Sequence, residues 1–197
     1  MNPSNGRMRI ALVCGSVRPG NYTRMAADVV ASSLSAHPEV TVDLVDPSEL
    51  DLAFPGLTST STSAAELKDV IVGAAAVILA TPEYHGSFSS VMKLIIENLG
   101  FPSVLAGKPV ALLGVAGGSI GAIKSLEQLR GVCSHVGAMV LPGPVSIANV
   151  RSAFNEDGEC IDADVEGRLH GLAENVLGYI QQNLCPRMTL EAMAREG

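Results

Sequence analysis

Tryptophan is absent from this 197-residue chain, and all its Phe and Tyr together make up only 4%. A surplus of positive charge is also lacking. Thirteen Lys and Arg stand against twenty Asp and Glu, a formal net charge of -7. That balance argues against nonspecific nucleic-acid binding, which needs a basic face. The four cysteines (Cys14, Cys133, Cys160, Cys185) show no CxxC spacing and no zinc-finger pattern with histidine. A structural metal is therefore not expected, and a chain of this size needs no disulfide scaffold. Long apolar runs are missing too. The longest, Ala74–Ala80, is far too short to span a bilayer. The first segment, Met1–Met8, is polar and has no apolar stretch of the kind a signal peptide carries. These absences together point to a cytoplasmic protein with neither nucleic acid nor membrane as partner.

What is present is a core. Hydrophobic residues make up 47% of the chain and charged residues 17%, enough for one domain spanning 1–197 with its core over about 8–183. Apolar β-prone runs alternate with helical patterns. Strands are expected at 9–13, 40–45, 75–80, 109–115 and 138–141. Helices are expected at 23–36, 64–74, 88–99, 120–136 and 163–183. Such alternation, with strands apolar on both faces, predicts an α/β fold. The expected form is a flavodoxin-like, doubly wound, five-stranded parallel sheet in three α/β/α layers, with ligands at the carboxyl ends of the strands. The stretch 46–63, with two prolines and a Ser/Thr tract, reads as a surface loop or lid. A second long connection covers 142–161, and the tail after Pro186 reads as loosely held or used in assembly.

Three segments that follow strands stand out. The first, GSVRPGNYTR (15–24), combines glycines with the hydrogen-bonding residues Ser16, Asn21, Tyr22 and Thr23. It also holds Arg18, whose guanidinium can fork onto phosphate oxygens. It opens a helix, whose free N–H groups favour an anion. A polar turn with Asn21 or Thr23 as helix cap is the plainer alternative. Val17 stands where a dinucleotide fingerprint needs glycine, and no Gly-Lys-Ser/Thr follows. A single phosphate with an attached sugar fits better. The second segment, TPEYHGSFSS (81–90), places Tyr84 and His85 in a loop stiffened by Pro82, with Ser87 or Ser89 as helix cap. It suits one wall of a planar ligand. The third, GVAGGSIG (114–121), is a small-residue wall that lets a flat ligand approach the backbone.

Together these segments resemble the NADPH-dependent FMN reductase family, a flavodoxin-like group of flavin, quinone, azo and chromate reductases. Its first signature is matched by Gly15, Ser16, Arg18, Asn21 and Met25-Ala26. Its second is matched by Pro82, Tyr84, Gly86, Ser87, Met92-Lys93, Glu97 and Leu99, and its third by Gly117-Gly118. The resemblance extends over about residues 8–180. Asn21 stands where Ser is usual, His85 where Asn is common, and Glu97 where Asp is usual.

The resemblance implies FMN as cofactor and NADPH, or alternatively NADH, as hydride donor. Ser16, Arg18, Asn21, Tyr22 and Thr23 would hold the FMN phosphate. Pro82, Glu83, Tyr84, His85, Gly86 and Ser87 would line the isoalloxazine, and Ala116, Gly117, Gly118 and Ser119 its other edge. Hydride would pass by a ping-pong mechanism to a small-molecule acceptor such as a flavin, quinone, azo compound or metal oxyanion. No acid–base side chain is indispensable in that scheme; Tyr84 and His85 are the candidates for such a role. Backbone N–H groups near Glu83–Gly86 would stabilise charge developing on the reduced flavin. A homodimer or homotetramer is implied as well. The rival reading is a flavodoxin-like electron-transfer module without nicotinamide turnover. Against it stands Arg18, in a loop that is neutral and Thr/Ser-rich in flavodoxins.

Overall fold

Strand β1 (Met8–Cys14) is buried from Ile10 to its end, and its side chains divide strictly between two cores. Ile10 and Leu12 join one apolar cluster, Ala11 and Val13 the other. That division is the period-two alternation of a strand covered on both faces, and it explains why the run has no polar face. A computed structural model describes residues 7–185 of the chain. Strands β3 (Ala76–Tyr84) and β5 (Pro109–Val115) are buried in the same way, β3 over its first seven residues. The sheet order is β2-β1-β3-β5-β6, with β2 at Val40–Val45 and β6 at Met139–Val140. Neighbours on this path run parallel: Leu12 lies between Leu44 and Ile78, and Ile78 pairs on with Ala111.

Helices α1 (Tyr22–Ser35) and α5 (Ala163–Tyr179) pack on the Ile10/Leu12 face. Helices α2 (Ser63–Gly73), α3 (Ser90–Asn98) and α4 (Ile123–His135) cover the other face. The structure is thus a flavodoxin-like parallel sheet between two helical layers, in the expected strand order. Deleting a fully buried side chain such as Leu12 or Ile78 costs about 2–5 kcal/mol.

The structure departs from expectation in three places. The third strand does not end at Ala80 but continues to Tyr84 and turns back into β4 (Ser87–Phe88), an antiparallel partner. The fifth sheet position is divided. β6 pairs with the start of β5, while β7 (Val145–Ile147) pairs with its end. The intervening Pro142 and Pro144 have no N–H to give a ladder, so a strand hid inside the expected 142–161 connection. Helix α4 starts at Ile123 rather than Ile120. Within 46–63, a 3-10 turn at Pro47–Glu49 is capped by Asp46, and most of the remainder is irregular. The tail after Pro186 lies outside the described residues.

Candidate functional site

Because β1, β3 and β5 are sheet neighbours, the segments leaving their carboxyl ends meet at one edge. Gly15 holds the first segment tight against the sheet: its N–H donates to Ala80 O at 2.7 Å. A Cβ there would stand 2.9 Å from that same oxygen and 3.0 Å from Met92 Cε. The glycine therefore serves a close approach within the protein. Ser16 is buried, and its Oγ accepts from the Arg18 N–H at 3.4 Å. Asn21 is the N-cap of α1. Its Oδ1 accepts from the Arg24 N–H at 2.8 Å, while its Nδ2 donates to Arg18 O at 2.7 Å. The N–H groups of Tyr22 and Thr23 precede any helical acceptor and remain available at the positive end of the helix. Cys14, directly before this segment, is buried. Burial pushes its thiol up to about 11, which keeps it protonated and unreactive at neutral pH.

The second segment is a hairpin. Its two-residue turn, His85-Gly86, has φ of 51° and 73°, the left-handed pair of a type I′ turn. Asn-Gly is the usual signal for that turn. Histidine is also enriched among non-glycine residues at positive φ, but it makes a weaker signal in sequence. The ladder pairs Glu83 with Phe88 and Tyr84 with Ser87, so His85 and Gly86 form the tip, outside the pairing. Ser89 caps α3 by accepting from the Met92 N–H at 3.0 Å, and its hydroxyl donates to Gly15 O at 2.6 Å. One side chain thereby ties the first two segments together. Ser87 donates to Gln128 Oε1, and Gln128 Nε2 donates to Gly86 O, which fastens the hairpin to α4. Glu83 Oε2 accepts from the Ser125 N–H at 3.1 Å. It caps α4 from a distance, because the cap position itself is Ala122, which has no polar side chain.

The third segment is held from an unexpected quarter. The Asn149 N–H donates to Gly118 O and the Val150 N–H to Ala116 O, both at 3.1 Å. These bonds dock a 3-10 turn, Val150–Ser152, against the small-residue wall. The turn carries Arg151.

A cleft of about 230 Å³ opens where these parts meet. Of the expected site residues, Arg18, Asn21, Tyr22, Thr23, Pro82, Glu83, Tyr84, Ala116 and Gly117 line it. Ser16, His85, Gly86, Ser87, Gly118 and Ser119 are not among its lining residues: Ser16 is buried beneath the loop, and the others are at the hairpin tip or the outer part of the third segment. The Arg18 guanidinium lies 4.8 Å over the centre of the Tyr84 ring, a cation–π contact that links the first two segments. Val150 and Arg151 also line the cleft, and sequence reasoning missed both. No local pattern marks them; their place depends on β7 and on the turn that follows it. Among the described residues no carboxylate forms an ion pair with Arg18 or Arg151. The one carboxylate in the lining, Glu83, is already engaged at α4. An acidic chain thus keeps a cationic, donor-rich cleft.

Two further features lie aside. Lys93 pairs with Glu97 one turn along α3, which accounts for both residues on the helix surface. A larger groove of about 1160 Å³ runs between the 53–57 stretch, α3 and α4. Phe54, Leu57 and Phe101 are 66%, 67% and 92% exposed around it. It is lined by Ser87, Phe88, Ser89 and Ser90 from the far end of the second segment, has no lining residue in common with the cleft, and contains none of the first or third segment.

The profile of the NADPH-dependent FMN reductases matches residues 8–152. A 2-hydroxy-1,4-benzoquinone reductase from a Burkholderia species is 27% identical over 88% of this chain and 97% of its own length. An FMN-dependent NADPH-azoreductase from Staphylococcus aureus is 23% identical over 89% of this chain and 97% of its own. Among solved structures, FerB from Paracoccus denitrificans, a flavoenzyme NAD(P)H:(acceptor) oxidoreductase, superposes with a TM-score of 0.74. It is 25% identical, over 89% of this chain and 98% of that one.

Proposed function

Because the chain belongs to the NADPH-dependent FMN reductase family, we propose that its cationic cleft holds FMN for an NAD(P)H-dependent reductase. The carrying observation is the convergence of three strand-end segments on one cleft with first-turn N–H groups and arginines free of carboxylates. Those features suit a phosphorylated flavin. The N–H groups of Tyr22 and Thr23, with Arg18, offer donors to a phosphate. Asn21 shapes that cradle, since capping α1 and bonding Arg18 O occupy its amide; Ser16 supports it from beneath. Pro82, Glu83 and Tyr84 face Ala116 and Gly117 across the cleft as walls for a flat ring, with His85, Gly86, Ser87, Gly118 and Ser119 at its margins.

FMN held there by the residues just named would supply the redox chemistry, hydride transfer between NADPH and an acceptor such as a flavin, quinone, azo compound or metal oxyanion. The protein binds and orients. The hairpin tip leaves the His85 and Gly86 N–H groups outside the ladder, as donors toward negative charge at the ring edge. No side chain here needs to shuttle protons, and Tyr84 serves as packing for Arg18. A purified chain that binds no flavin, and leaves NADPH unoxidised with FMN and a quinone present, would overturn this reading. Steady NADPH oxidation without an added reductase distinguishes the enzyme from an electron-carrier module.

We take the chain as a single domain, which is supported by one sheet threading the described residues. A homodimer or homotetramer is proposed with it, a second copy covering Phe54, Leu57 and Phe101 around the groove. No helix among the described residues is long and apolar enough to cross a membrane. The thiols Cys14, Cys133 and Cys160 suit the reducing cytoplasm we propose as its location.

A further inference from the structure

We infer that Arg151 is a second cationic ligand of the FMN phosphate, closing from above the cradle that Arg18 and the start of α1 form from below. The inference rests on the FMN reading but adds a residue outside all three family signatures. Arg151 lines the same small cleft as Arg18, Tyr22 and Thr23. The two arginines border a single cleft of about 230 Å³, a volume small enough for one bound anion to be bordered by both. Its turn is fixed from two sides. Backbone bonds from Asn149 and Val150 anchor it to the third segment. Phe154, three residues on, packs against Tyr22, the first residue of α1, with ring centres 6.3 Å apart.

The approach is also specified by backbone conformation. Asn149 adopts φ 46°, ψ 38°, a left-handed geometry that asparagine tolerates better than most residues, and that reverses the chain just before Arg151. Arg151 lies beside the third segment: a Cβ built on Gly117 would stand 3.9 Å from Arg151 Nε, an ordinary contact. Among the described residues Arg151 has no carboxylate partner, whereas Arg9 and Arg24 are both paired. Phosphate carries FMN's negative charge in the oxidised state, so of FMN's groups the phosphate is the one that a cation lining this cleft addresses.

The test uses the full chain freed of flavin, titrated with FMN and separately with riboflavin, which lacks the phosphate, by flavin fluorescence. Arg151→Gln is expected to weaken FMN binding about 10- to 100-fold, as loss of a charged hydrogen bond does, with riboflavin changed less than about two-fold. Arg151→Lys recovers part of the FMN affinity, and the dependence of FMN binding on salt becomes shallower in the Gln variant. The side chain is exposed, so an unchanged circular dichroism spectrum is expected to accompany these effects. Equal weakening of both flavins would place Arg151 at the ring and overturn the assignment, as would no change in either. A wild-type chain that binds neither flavin overturns the FMN reading itself, and the assignment with it.

Discussion

Two concavities stand out among the described residues, and the smaller one is where we propose the chemistry takes place. The groove beside α3 and α4 encloses about 1160 Å³ against about 230 Å³ for the cleft. Yet the groove's exposed large apolar side chains, Phe54, Leu57 and Phe101, stand among exposed Lys93, Glu97, Gln128 and His135, a mixed lining that suits it to being covered by another surface. In the cleft, helix-end N–H groups, Arg18, Arg151 and two walls of small or flat residues converge from four stretches of the sequence. A ligand site is marked by convergent polar groups with unspent hydrogen-bonding capacity, and volume alone does not reveal it.

Substitutions can break this contrast. The largest effect is expected at Gly15, the anchor of the cleft. Gly15→Val pushes side-chain atoms into Ala80 O and Met92 and should cost about 1–3 kcal/mol or more in stability, together with loss of FMN binding. Urea denaturation and flavin titration of the same sample check both. A Gly15→Val chain as stable as wild type would show that the first segment is not tied to the sheet as described.

Arg18→Ala should weaken FMN by about 1–3 kcal/mol with little change in melting temperature, because Arg18 has only Tyr84 and loop atoms as partners. Isothermal titration decides. At the groove the reverse pattern is expected. Phe101→Glu, at a residue 92% exposed, leaves the fold intact and shifts the mass measured by light scattering toward the monomer. Unchanged mass would separate the groove from assembly.

The smallest effect belongs to the hairpin that borders both concavities. His85→Gly relieves a positive φ, which costs a non-glycine residue about 1–2 kcal/mol, against about 0.4–1 kcal/mol of added unfolded-chain entropy, so a small net rise in melting temperature is expected. A fall instead would mean that the imidazole makes contacts at the tip that outweigh the strain.

Much of this architecture was legible in the residues. Alternation of apolar strands and amphipathic helices, read locally, located the five sheet positions, since burial on both faces forces continuous apolar runs. The Gly15–Thr23 segment was legible as a glycine-bearing turn opening a helix, with Asn21 as its cap; its reading as an anion cradle rests on the same residues and is part of the proposal. The hairpin was read as a loop because its turn signal, His-Gly, is a weak variant of Asn-Gly, and Tyr84 and Ser87 alone do not announce pairing. Glu83 was read as part of the flavin wall, but its carboxylate spends itself on α4, forty residues away in the chain. A hydrogen bond from a side chain to a distant helix end leaves no trace in spacing.

The chain by itself therefore determined the layers and the strand order, which follow from periodicity, and pointed to the end of the sheet where we propose a phosphate binds. The tertiary structure decided which donors remain free. Asn21 and Ser87 have polar side chains engaged within the protein, Arg18 and Arg151 do not face a carboxylate, and β7 delivers Arg151 to the cleft from a stretch without pattern. Hydrogen-bond capacity is used up by whichever partner folding brings near, so the groups left over for a ligand are known only once the whole chain is in place.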